Sequence, residues 1–255
     1  MLTLNEIAAS RRLDVLEMVY RAKSGHIGGS MSCMDILVNL YYYVMDRDTD
    51  YFILSKGHCA EALYSVLADL NYIPKEELET FTRFGTRLAE HPTKKVPGVV
   101  TATGALGHGL SVGAGIALGL KRDKKGGSVY ILMGDGEMAE GSIWEAIMSA
   151  AKYKLDNLIA IVDRNRLQIS GGTENVMPMD GLSARFQAFG WNVVECDGHG
   201  DMTAVLKARR KDKPSAVIAN TIKGRGSSVM ENNAEWHHLI PSAEQYIQIK
   251  NDLGG

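Results

Sequence analysis

Two short apolar runs set the pattern of this chain. Ser128-Val-Tyr-Ile-Leu-Met133 and Leu158-Ile-Ala-Ile-Val162 are continuous and rich in strand-forming residues, and their length suits buried strands. Between them, Ile143, Ala146, Ile147, Ala150 and Ala151 recur at helical spacing over residues 141–152. Strand, helix and strand in that order predict a right-handed crossover, with both strands parallel in one sheet and both C-terminal tips on one edge. That edge is where open α/β sheets bind ligands.

The alternation extends in both directions. Residues Leu4 to Ala22 carry an amphipathic helical stripe of Ile7, Leu13, Leu16 and Val19. The glycine loop Ser24-Gly-His-Ile-Gly-Gly-Ser30 breaks it, and helical spacing resumes over Met34 to Met45. Tyr51 to Leu54 reads as a strand and Ala60 to Leu70 as a helix. Pro74-Lys-Glu-Glu-Leu78 reads as a helical turn opened by proline. Residues 86–97 read as loop. The glycine-dense stretch from Gly98 is loop at first and a tightly packed helix towards Leu120. After the second apolar run come a loop to about Asp180, a helix over 181–189, a strand over 191–196 and a turn at Asp197-Gly-His-Gly200. A helix over 201–210 and a strand over 215–221 follow. Ser242-x-x-Gln245 has the spacing of a capping box and starts a last helix. The pattern predicts an α/β fold with a doubly wound, mostly parallel sheet flanked by helices.

Composition adds limits. With 255 residues, 45% hydrophobic and 23% charged, the chain is expected to form one domain over 1–255 with a substantial core. Its net charge of −2 offers no bulk attraction to nucleic acid or an anionic membrane. The apolar stretch Ile36 to Met45 is too short for a bilayer. Glu6, Asp14 and Glu17 rule out a secretory signal pattern at the start. Cys33, Cys59 and Cys196 lack metal-ligand spacing and predict reduced thiols, hence a cytoplasmic location.

The chemistry concentrates where the two apolar runs end. Gly134-Asp135-Gly136 follows the first, and the glycines permit a tight turn and close ligand approach. Asp163-Arg164-Asn165 follows the second. A carboxylate, a carboxamide and a nearby main-chain carbonyl suit a hard dication such as Mg²⁺, which completes its octahedron with phosphate and water oxygens. No Cys or His adjoins them, which disfavours zinc at this point. Gly-Asp-Gly alone would equally fit a strand-end turn with a solvated aspartate; the asparagine thirty residues on, after a second strand, makes the pattern specific.

These residues resemble the thiamine diphosphate motif, and their surroundings resemble transketolases. Gly134-Asp-Gly-Glu-Met-Ala-Glu-Gly141, Trp144-Glu-Ala146, Lys154-Leu-Asp-Asn-Leu158 and Asp163-Arg-Asn-Arg-Leu-Gln168 carry the likeness. Ser24-Gly-His26, Ser55-Lys-Gly-His58, His91-Pro92, Thr103-Gly-Ala-Leu-Gly107 and Met230-Glu-Asn-Asn233…Trp236-His237 extend it over nearly the whole chain. It covers only the diphosphate-binding first domain of a full-length transketolase, and is nearest to the separate N-terminal subunit of split bacterial ones.

The resemblance implies a metal site of Asp135, Asn165 and the main chain at Leu167, holding Mg²⁺, with Ca²⁺ or Mn²⁺ as substitutes. It implies cofactor contacts from His58, Gly104, Leu106, Gly134, Asp135, Gly136, Glu140, Asn165 and His237. It assigns catalysis to His26, His58, His91, Glu140 and His237, with Glu140 coupling two cofactors across a dimer. The implied reaction moves a two-carbon ketol unit from a ketose phosphate to an aldose. Histidines suit it, because their pKa allows proton exchange with sugar hydroxyls near neutrality. The glutamate that activates the aminopyrimidine, and the arginines that clasp the sugar phosphate, belong to a domain absent from this sequence. A C-terminal partner of about 300 residues, in an α2β2 heterotetramer, is therefore expected. Glu90, His108 and His238 stand where the family has Gly, Gln and Gly. They leave room for a sulfo-sugar or branched-sugar donor. Half of a 2-oxoacid decarboxylase or dehydrogenase, and a non-catalytic scaffold, are the other readings.

Overall fold

The computed structural model describes residues 2–255. Five strands, β1 (Tyr51–Leu54), β2 (Val129–Gly134), β3 (Leu158–Arg164), β6 (Asn192–Asp197) and β7 (Ser215–Asn220), form one sheet in the order β1-β2-β3-β7-β6. Every pair in it is parallel. A two-residue antiparallel ladder, β4 (Leu167–Gln168) with β5 (Gly171–Gly172), lies beyond the tip of β3.

Successive side chains on a strand point to opposite faces, so each strand feeds two cores. Tyr130, Leu132, Ile159, Ile161 and Val217 pack with α1 (Leu4–Ala22), α2 (Ile27–Asn39) and α3 (Ala60–Asp69). Val129, Ile131, Met133, Ala160 and Val162 pack with α4 (Gly109–Arg122), α5 (Gly141–Lys152) and α7 (Leu182–Ala188). Burial on both faces is why the central strands read as unbroken apolar runs rather than alternating ones. Short α6 (Thr173–Val176) and α8 (Thr203–Lys207), and the terminal α9 (Ala243–Asp252), complete the chain. Among the described residues no helix is long and apolar enough to cross a membrane.

The expected doubly wound sheet is present, and several boundaries move. Helix α2 begins at Ile27, inside the stretch read as a glycine loop. Its early glycines answer to packing: a Cβ on Gly28 would sit 2.5 Å from the Trp236 carbonyl oxygen, and one on Gly29 2.8 Å from Cys59 Sγ. After Asn39 the helix widens into a π turn over Leu40–Val44. Strand β3 outruns its apolar run by two residues, because the charges of Asp163 and Arg164 are paired and buried. The helix expected over 201–210 shortens to five residues. The loop before Asp180 contains β5 and α6. The Ser242–Gln245 capping box forms both of its hydrogen bonds. His199, read as a turn residue, bonds Asp35 through Nδ1 at 2.7 Å and accepts from the Ile222 N–H at 2.8 Å. It ties two loops to α2.

Candidate active site

The register puts Gly134 beside Asp163, so the tips of β2 and β3 are adjacent. Asp135, the first residue past β2, is 2% exposed. Its Oδ2 accepts from the Arg166 N–H at 2.6 Å and from the Arg164 guanidinium at 3.0 Å. Among the described residues its Oδ1 accepts only from the Gly136 N–H, at 2.8 Å, and keeps coordinating capacity. Arg166 donates from a left-handed backbone with φ 64°. Such a conformation costs a non-glycine residue about 1–2 kcal/mol, and here it aims the amide at the carboxylate. Asn165 is also buried; its Oδ1 accepts from the Leu167 N–H at 3.1 Å.

Beneath these donors lies a charged floor. The Lys56 ammonium, 1% exposed, pairs with the fully buried Asp163, which also accepts from the Ser32 hydroxyl at 2.6 Å and from Thr221. Burial alone would weaken the lysine's hold on its proton; Asp163 reverses this and keeps Lys56 well above the usual lysine range. Glu137, buried beside them, fixes the walls by accepting from the Gly107 N–H at 2.9 Å, the Gly134 N–H at 3.1 Å and the Ser55 hydroxyl.

Opposite the carboxylate stands a histidine cluster. The His26 ring lies 5.5 Å from His58, 5.8 Å from His91 and 5.4 Å from His237, between ring centroids. His58 and His237 are 5.3 Å apart. Burial, then repulsion from His58, lowers the His26 pKa to about 4. Burial, then the Lys223 ammonium, lowers that of His237 to about 3; Lys223 Nζ is 3.1 Å from His237 Nδ1. Lys223 itself is lowered to about 8 by burial and by Lys56. Both imidazoles are therefore neutral at pH 7, able to accept a proton and to donate a hydrogen bond.

A cleft of about 440 Å³ joins the two halves. It is lined by His26, His58, His91, Gly104, Leu106, Gly134, Asp135, Gly136, Glu140, Asn165, Leu167 and His237, which are all the residues singled out from the sequence. Glu140 is exposed on its rim, at the start of α5. Gly104, at φ 139°, lies against His91, where a Cβ would stand 2.7 Å from the ring. Lys223, in a Lys-Gly-Arg-Gly226 stretch that the sequence reads as a flexible anion loop, also lines the cleft, as do Lys56, Glu137 and Gln168, to which sequence reasoning gave no role. The lysine in Ser55-Lys-Gly-His58 was the available signal for Lys56. Of the three departures, His108 lies outside the cleft with Nδ1 3.0 Å from the Leu106 carbonyl. Glu90 and His238 come together beside His26.

The residues fit a diphosphate bridged by a dication. Asp135 Oδ1, Asn165 Oδ1 and the main chain at Leu167 offer oxygen alone, the donor set a hard cation takes. Burial, then Asp163, raises the Asp135 pKa, an electrostatic cost that a bound cation offsets. Two buried polar atoms on cleft-lining residues, Gln168 Nε2 and His26 Nδ1, have no hydrogen-bond partner among the described residues. Such atoms are uncommon without a ligand or water to meet them. Lys56 and Lys223 also line the cleft; with Lys56 already paired to Asp163, Lys223 is the ammonium that could meet phosphate charge.

Comparison with known proteins agrees with this geometry. The family described as "Transketolase, thiamine diphosphate binding domain" matches residues 3–255. An apulose-4-phosphate transketolase subunit from Phocaeicola vulgatus is 48% identical, covering 98% of this chain and 94% of the relative. The 6-deoxy-6-sulfo-D-fructose transketolase subunit SqwG of a Clostridium species is 39% identical, covering 91% of this chain and 89% of the relative. The crystal structure of transketolase from Campylobacter jejuni superposes with a TM-score of 0.92 at 29% identity, over 100% of this chain and 43% of that one. This chain thus spans less than half of that transketolase.

Fold and cleft together define an α/β domain that binds thiamine diphosphate through a divalent cation. The chain belongs to the transketolase family, as its thiamine diphosphate-binding domain.

Proposed function

We propose that this chain is the diphosphate-binding half of a two-subunit transketolase, a single domain that works with a C-terminal partner in an α2β2 assembly. The observation that carries the reading is the convergence, in one cleft, of the oxygen donors of Asp135, Asn165 and Leu167 and a cluster of four histidines. When bound, thiamine diphosphate supplies carbanion chemistry at its thiazolium ring. The chain's own residues bind, orient and exchange protons. Asp135, Asn165 and Leu167 anchor the cation and Lys223 meets the phosphate charge. Gly134, Gly136, Gly104 and Leu106 leave room for the cofactor's approach. His26, His58, His91 and His237 hold sugar hydroxyls and exchange protons with them, and Glu140 reaches towards a neighbouring protomer.

Relatives named for apulose 4-phosphate and 6-deoxy-6-sulfo-D-fructose stand beside ordinary transketolases, so an ordinary ketose phosphate is the first donor to offer and branched and sulfonated ketoses follow. The test mixes the chain with its C-terminal partner, thiamine diphosphate, Mg²⁺ and an aldose phosphate, then offers each donor class in turn. Two-carbon transfer that requires both proteins is the expected result. Turnover by this chain alone, or pyruvate decarboxylation without ketol transfer, would overturn the proposal.

A further inference from the structure

We propose that His26, Glu90 and His238 form a second cation site, for a zinc-class dication, at the outer edge of the histidine cluster. One ligand atom from each of the three lies within 4.8 Å of the other two. Around a tetrahedral zinc with bonds of about 2.1 Å, donor atoms stand about 3.4 Å apart. Closure therefore needs movement on the order of 1 Å, and two of the three side chains can supply it. His238 and Glu90 are 52% and 27% exposed, and their Nε2 and Oε2 are 4.0 Å apart. That spacing is too long for a hydrogen bond and close to what a bridging ion requires.

The surroundings are those of a ligand set. Ser24 donates its hydroxyl to Glu90 Oε1, which holds the carboxylate and leaves Oε2 facing His238. Orientation of a ligand by such an outer hydrogen bond is a recurrent feature of metal sites. The His26 ring stands 4.6 Å from that of His238 between centroids, and its Nδ1 has no partner among the described residues. Three protein donors leave a fourth position for water.

The two cation sites differ in chemistry. Asp135, Asn165 and Leu167 offer oxygen, which suits Mg²⁺. His26, His238 and Glu90 offer two imidazoles and one carboxylate, which suit zinc and its transition-metal neighbours. The sites share no residue, and of the outer three only His26 lines the cleft. Occupancy of the outer site would engage His26 and deny it to a sugar hydroxyl. This consequence, inhibition of ketol transfer by zinc, rests on the function proposed above; the binding itself does not.

The chain, saturated with Mg²⁺ and thiamine diphosphate, is titrated with Zn²⁺ by calorimetry and with Co²⁺ by visible absorption. One saturable site with intense tetrahedral cobalt bands is expected. Glu90→Gln and His238→Ala should each weaken it at least tenfold while leaving the Mg²⁺–thiamine diphosphate isotherm unchanged. Absence of saturable Zn²⁺ binding, or binding unaltered in both variants, would refute the site whatever the enzyme's reaction proves to be. In the reconstituted enzyme, Zn²⁺ should raise the KM for the donor in the native protein and not in His238→Ala. Equal inhibition of both would refute the inhibitory role.

Discussion

At the scale of single residues, the site depends on charges held out of water. Asp135 keeps one oxygen tied to Arg164 and Arg166 and the other lightly engaged. Asp135→Asn preserves the shape and removes the anion. We expect Mg²⁺-dependent thiamine diphosphate affinity to fall by about 100-fold or more, since even outer-shell changes cost 10–100-fold; calorimetry on the isolated chain reads this directly. The neutral histidines make a second prediction. His26 and His237 have folded pKa values of about 4 and about 3, below the ordinary 6.5. Between those values and 6.5 the unfolded chain binds more protons than the folded one, so stability rises with pH there. Urea midpoints should fall as pH drops from 6.5 towards 4, and His237→Gln should flatten part of that slope. Asp135 and Asn165 were legible in the sequence because each follows an apolar run at a strand tip. Lys56 and Asp163 were not. A buried pair 107 positions apart leaves no local pattern, and only the assembled sheet brings it together.

Among the elements, the central strands and long helices were legible because packing on both sheet faces writes itself into periodicity. The start of α2 was not, since glycine argues against helix on propensity. Tertiary contact overrides that preference here. A Cβ on Gly28 would approach the Trp236 carbonyl to 2.5 Å, and Trp236 is buried next in sequence to the cleft-lining His237. Gly28→Ala should therefore cost about 1–3 kcal/mol of stability, as overpacking does, and displace His237 with it. Gly119, in α4, is the contrasting case: nothing lies within 4 Å of a Cβ placed there. Gly119→Ala should stabilise by about 0.4–1 kcal/mol through the less flexible unfolded chain. Urea denaturation of the two variants gives opposite signs if packing, rather than glycine content, decides the element.

At the scale of the molecule, this chain supplies the floor of the cleft and both its carboxylate and histidine sides, while covering 43% of the Campylobacter jejuni transketolase. Ile169, on the cleft's own rim, is 73% exposed, and Val176 at 42% and Met177 at 51% follow in sequence. A large apolar side chain left open at the rim of a cleft suits an interaction face, and the proposed C-terminal partner, closing over the cofactor, would cover Ile169. Under that assignment Ile169→Asp penalises assembly and spares chemistry. In reconstitution titrations the amount of partner giving half-maximal ketol transfer should rise about tenfold, the effect of about 1.4 kcal/mol on association. The rate at saturating partner should return close to that of the native pair. A lowered plateau with an unchanged midpoint would instead place Ile169 against the substrate, inside the site rather than at the seam between the two proteins.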